Sequence, residues 1–170
     1  MSAKQLTRDA LLCAIALTIF MIEAQIPALV PIPGVKLGLA NIVTVFAIFV
    51  YGPKDALAIL LVRVVLGSIF SGQITTILYS LAGGLLCFCV VVLIRKILTE
   101  RQIWVASVVG AIFHNIGQVL VAMLITSTWR LIVYLPILMV SGILAGLFTG
   151  LCAQFLYGKL KNLRQFCRIL

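Results

Sequence analysis

Residues 103–125 read IWVASVVGAIFHNIGQVLVAMLI, an apolar run with no aspartate, glutamate, lysine or arginine in it. As a helix rising 1.5 Å per residue it would be about 35 Å long, enough to cross the roughly 30 Å hydrocarbon core of a bilayer. Arg101 precedes the run, and Ser127 to Arg130 break it. Working outward, comparable runs occupy residues 10–26, behind Lys4 and Arg8, and 37–50, which ends at Gly52-Pro53. They continue at 56–70, interrupted by Arg63, at 74–94, followed by Arg95 and Lys96, and at 134–157. The pattern predicts an all-α integral membrane protein, a bundle of about six transmembrane helices forming one domain over residues 1–170. The first run has the length of a signal peptide, but no clean cleavage site follows it, so it reads as the first span. The second is short, and short or tilted spans are tolerated where neighbours shield their ends. Pro27, Pro31, Pro33 and Gly34 make a stiff connection between these two runs that cannot continue a helix.

Composition points the same way. Hydrophobic residues make up 64% of the 170, charged residues 10%, and mean hydropathy is +1.27. Soluble domains run at about 45–50% apolar and about 25% charged. A water-soluble fold of this size could not hide so much apolar surface.

The net charge of +9 would suggest nucleic acid in a soluble protein, but the basic residues sit between apolar runs and at the ends. They read as a topology signal, with no nucleic-acid partner. Lys4, Arg8, Lys54, Arg95, Lys96, Arg101, Lys159, Lys161, Arg164 and Arg168 fall on one side of a six-span layout. The other side holds only Lys36 and Arg130. Both termini are therefore expected in the cytoplasm.

Small residues mark close helix approaches. Gly142, Gly146 and Gly150 recur every four residues, forming one shallow stripe on the sixth run. Ala10 and Ala14 make a smaller version on the first. Either stripe suits packing inside the bundle or docking to another membrane subunit. Cys13, Cys87, Cys89, Cys152 and Cys167 show no metal-type or disulfide spacing and read as apolar fillers.

Ionisable groups at membrane depth need a partner, a cavity or a role. Arg63 lies mid-span and suits a substrate contact, a structural ion pair or snorkelling to the interface. Gly110, His114 and Gln118 share a helix face, with Asn115 beside them, and Gly110 leaves room next to the polar groups. A lone histidine in a bundle is a hydrogen-bonding strut or a ligand, and with no second histidine a metal site is not expected. Glu23 and Gln25 end the first run, while Lys36 opens the second with Asn41 a turn further in. Thr75, Thr76, Tyr79 and Ser80 begin the fourth at similar depth. These groups suggest an outward-opening pocket for a small anion, with Glu23 balancing one cation.

The four acidic residues, Asp9, Glu23, Asp55 and Glu100, show no spacing for magnesium–diphosphate chemistry. Phosphate-binding glycine loops and dinucleotide fingerprints are absent, so neither autonomous catalysis nor a cofactor is expected.

The stretch 32–44, IPGVKLGLANIVT, resembles the signature of a bacterial membrane family called heptaprenyl diphosphate synthase component I, or the Gx transporter family. Arg63 to Ser68 and His114 to Gln118 fit the same pattern, and the resemblance covers nearly the whole chain. Its layout is similar to the S components of energy-coupling-factor transporters, which capture a solute and dock to a transmembrane subunit with two ATPases. The resemblance implies a multi-pass protein of the bacterial cytoplasmic membrane, with Ala10 and Ala14 on the docking helix. The leading expectation is a substrate-binding subunit that takes up a small anionic solute through Lys36, Asn41, Arg63, His114, Asn115 and Gln118. One rival is a non-catalytic component I that assists a separate prenyl synthase subunit in isoprenoid or quinone side-chain synthesis. Another is a scaffold subunit of a membrane redox assembly.

Overall fold

A computed structural model describes residues 2–26, 36–72 and 75–166, with the side chains of 75, 76 and 163–166 excepted. The proline-rich connection with Pro27, Pro31, Pro33 and Gly34 lies outside the described residues, as do Gln73, Cys167, Arg168 and the side chains of Thr75, Thr76 and Arg164. Among the described residues there are six α-helices and no strand: α1 (Ala3–Glu23), α2 (Asn41–Val50), α3 (Pro53–Phe70), α4 (Thr75–Ile94), α5 (Ile103–Thr126) and α6 (Leu135–Phe166). Short 3-10 turns at Glu100–Gln102 and Trp129–Tyr134 lead into α5 and α6.

Helix ends depart from the apolar runs where local chemistry intervenes. The first helix starts at Ala3, seven residues before its apolar run, because Ser2 and Gln5 form a capping box. The Ser2 hydroxyl accepts from the Gln5 N–H, and the Gln5 amide oxygen accepts from the Ser2 N–H. The second helix starts four residues later than the run predicts. Gly38 has φ +80°, a left-handed conformation that no helix can pass through. Residues 36–40 instead form a non-helical approach to α2. Gly52, at φ 106° with Pro53 at the first helical position, turns α2 into α3.

Helices α1, α4, α5 and α6 are long and apolar enough to cross a membrane. The ten residues of α2 span only about 15 Å. On α6 the stripe Ile137, Val140, Leu144, Phe148, Leu151 and Phe155 is half exposed or more along its whole length. Water does not tolerate an apolar stripe of that extent, which points to membrane association.

Helix α5 lies between α4 and α6. Gly142, Gly146 and Gly150 face it, and a Cβ on Gly146 would stand 2.9 Å from the Val108 Cα. On the other side Gly117 lies against Ala82 and Gly83 of α4. The space expected beside Gly110 is filled by Val91 and Cys87 of α4, because helices with small residues close until side chains meet. Ala10 and Ala14 are exposed on the outer face of α1, while Ala16 and Phe20 are buried on its inner face.

One end of the bundle gathers ionic contacts. Arg8 pairs with Asp9 and Asp55 and lies over the Tyr51 ring, fastening the start of α1 to the α2–α3 turn. Lys161 meets Glu100 at 2.5 Å. Asp9 and Asp55, far apart in sequence, thus come together on a shared arginine.

Candidate functional site

Arg63 is only 3% exposed and does not snorkel to an interface. Its Nη2 donates to the Asn41 amide oxygen at 3.2 Å, while its Nε–H is enclosed and has no acceptor among the described residues. None of the ion pairs among the described residues involves Arg63. Phe20, Glu23, Lys36, Gly38, Ser80, His114 and Gln118 enclose a cavity of about 10 Å³ beside it. That is room for about one water molecule.

The approach to α2 is clasped by its surroundings. The Glu23 carboxylate accepts from the Gly38 N–H at 2.5 Å and also from the Ala40 N–H. A carboxylate there holds the chain that leads into α2 and complements the positive end of the helix dipole. Gln118 of α5 accepts from the Lys36 N–H at 3.3 Å. The Lys36 ammonium lies 3.7 Å above the Phe20 ring, which rests on Gly67 of α3. Burial pushes the Lys36 ammonium below the ordinary lysine range, against the opposing pull of Glu23; Arg63 adds to the lowering.

His114 is held between two glycines. A Cβ on Gly38 or on Gly83 would fall 2.8 Å from its ring. The imidazole therefore fills a slot between the α2 approach and α4, a packing role that spacing alone did not reveal.

Of the residues singled out in the sequence, Lys36, Asn41, Arg63, His114 and Gln118 meet in this cluster. Asn115 does not. It is fully buried on the α6 side, where its Nδ2 donates to the Leu138 carbonyl at 2.5 Å and touches the face of Gly142. One residue along a helix rotates a side chain by about 100°, which turns Asn115 away from the pocket. Phe20 and the capping role of Glu23 were missed. The signal for both is their spacing with Ala16, which puts all three on one face of α1. Among the described residues no three histidine, cysteine, aspartate or glutamate side chains gather.

The cluster brings two cationic side chains, Lys36 and Arg63, beside one carboxylate, Glu23, and among the described residues it holds no second carboxylate. No curated protein and no solved structure matches the chain. The sequence model of one family, described as heptaprenyl diphosphate synthase component I, matches residues 12–156. This chain belongs to the heptaprenyl diphosphate synthase component I family.

Proposed function

We propose that this chain is a single-domain, membrane-embedded subunit without catalysis of its own, which holds an anionic group beside Arg63 and acts through a separate partner. The observation that carries the proposal is the buried Arg63, whose Nε–H lacks an acceptor among the described residues and lies next to a second cation, Lys36. A buried donor on a charged group is costly to leave unmet, so such a site is built for something that fills it. The family description favours component I of heptaprenyl diphosphate synthase as the assembly, with a prenyl synthase subunit as the partner. On that reading the partner supplies the clustered carboxylates that hold magnesium and diphosphate, and this chain supplies membrane attachment and a regulatory or product-handling contact. The chain lies in the bacterial cytoplasmic membrane with both termini inside, where Lys161, Glu100, Arg8 and Asp55 face the partner's compartment.

The test is co-expression of the chain with a catalytic prenyl synthase subunit, followed by chromatography of the prenyl products. Long-chain product that appears only with both subunits, and falls with Arg63→Ala, is the expected result. An unchanged product profile with and without this chain would sink the component I reading.

A second reading is a solute-binding transport subunit resembling an energy-coupling-factor S component, with Ala10 and Ala14 on the docking face. What favours it is that the cationic cluster is lined by side chains of α1, α3, α4 and α5 together, as a pocket within the bundle would be. On that reading the chain co-purifies with a transmembrane coupling subunit, and a small anion co-purifies with the chain.

A further inference from the structure

The charges around Arg63 do not balance. Glu23 is the acidic residue that lines the cavity, and its carboxylate is already engaged by the Gly38 and Ala40 N–H groups. It forms no ion pair within 4.0 Å with Lys36 or Arg63 among the described residues. Counted by residue type, the two cations Lys36 and Arg63 face one carboxylate, Glu23, which leaves a formal excess of one positive charge in the lining. A water molecule can fill the space beside Arg63 but cannot cancel that charge, and a lone buried cation is strongly disfavoured. Nη2 donates to Asn41, and among the described residues the enclosed Nε–H has no acceptor. The room available is about 10 Å³, enough for one oxygen-sized group.

We infer that the cavity between Lys36 and Arg63 takes one singly charged oxyanion, a carboxylate or a phosphodiester, whose oxygen accepts from the Arg63 Nε–H, and that it disfavours diphosphates. This rests on the anion-binding reading above and narrows it. A diphosphate carries two or three negative charges, so it would overturn the balance and bury surplus negative charge beside Glu23. A carboxylate or a phosphodiester restores neutrality with one charge. If the partner is a prenyl synthase, its diphosphate substrates stay on the partner, and the ligand here is a soluble acid or an anionic lipid headgroup.

The experiment uses the full chain in a neutral detergent, titrated at constant ionic strength with acetate, phosphatidylglycerol or pyrophosphate while its thermal unfolding is followed. Saturable stabilisation by acetate or phosphatidylglycerol, at an affinity at least about tenfold above that for pyrophosphate, is expected. Response to acetate identifies a soluble acid, and response to phosphatidylglycerol alone identifies a lipid headgroup. Lys36→Gln, on the non-helical approach to α2, removes one positive charge and should abolish the monoanion effect. Glu23→Gln adds one net positive charge and should move the preference toward pyrophosphate. Tighter binding of pyrophosphate to the unaltered chain would overturn the single-charge inference and leave the anion site standing. Folded protein that none of the three probes stabilises would overturn both.

Discussion

The α5–α6 seam and the approach to α2 are both built on glycine, yet they use it in different ways. Along the seam, Gly142, Gly146 and Gly150 let one helix backbone lie against another, and the neighbours are mostly backbone atoms of Trp104, Ser107, Val108 and Ala111. The buried Ser107 and Thr149 hydroxyls, 3.0 Å apart, and the Asn115 Nδ2 contact to the Leu138 carbonyl complete a tight join, in which the Asn115 Oδ1 is enclosed without a donor among the described residues. At the approach to α2, Gly38 supplies a left-handed turn, and its neighbours are the ends of the His114 and Asn41 side chains. Here Glu23, Lys36, Asn41, Arg63 and Gln118 hold the chain through polar contacts, one of which is left open at Arg63. A helix seam of small residues has nothing to give and nothing to bind. A polar clasp can rearrange and accept a ligand.

The largest effect should come from breaking the seam. Gly150→Ala places a Cβ 2.6 Å from the Trp104 Cα and 2.7 Å from the Ser107 Cβ, where a backbone must shift. We expect a loss of about 3 kcal/mol, the upper end for overpacking, read as a lower unfolding midpoint in detergent. A midpoint unchanged by this substitution would mean the seam is looser than the geometry states.

Gly38→Ala should cost less. Its neighbours are side-chain ends rather than backbone, so the penalty is mainly that of the left-handed backbone, about 1–2 kcal/mol. Its distinguishing result is functional: stabilisation by acetate should disappear, whereas Gly150→Ala should retain it at temperatures where the variant is folded. Loss of the acetate effect in both variants alike would erase the distinction between seam and clasp.

The smallest effect is expected at the ionic end. Lys161→Ala removes an exposed partner of Glu100, and surface pairs of this kind contribute little. No measurable change in the unfolding midpoint or in acetate binding should follow. A clear drop would show that the end of α6 is held to the Glu100–Gln102 turn by more than this pair.

Hydropathy and breaker residues alone made the six helices legible, because an apolar run bounded by Pro, Gly and charge has few ways to fold. The helix ends were less so. The start of α1 at Ala3 depends on a capping box in a polar stretch that hydropathy passes over. The start of α2 at Asn41 depends on a single left-handed glycine inside an apolar run.

Cost at membrane depth made Arg63 and His114 stand out, since apolar surroundings make any ionisable side chain conspicuous. Asn115 stood out for the same reason, but polarity does not say which neighbour a side chain meets, and its amide belongs to the α5–α6 join.

By itself, then, the sequence determined that the chain is all-helical and apolar, where its breaks fall, and which polar groups need a reason to be inside. Only the tertiary structure decided that Glu23 clasps the approach to α2, that Phe20 carries Lys36, and that His114 sits between Gly38 and Gly83. It also decided that the Arg63 Nε–H is left without an acceptor among the described residues. Periodicity fixes the face on which a residue lies. What lies opposite depends on helix rotation and on how closely small residues let backbones approach, and those are set by the whole packing at once.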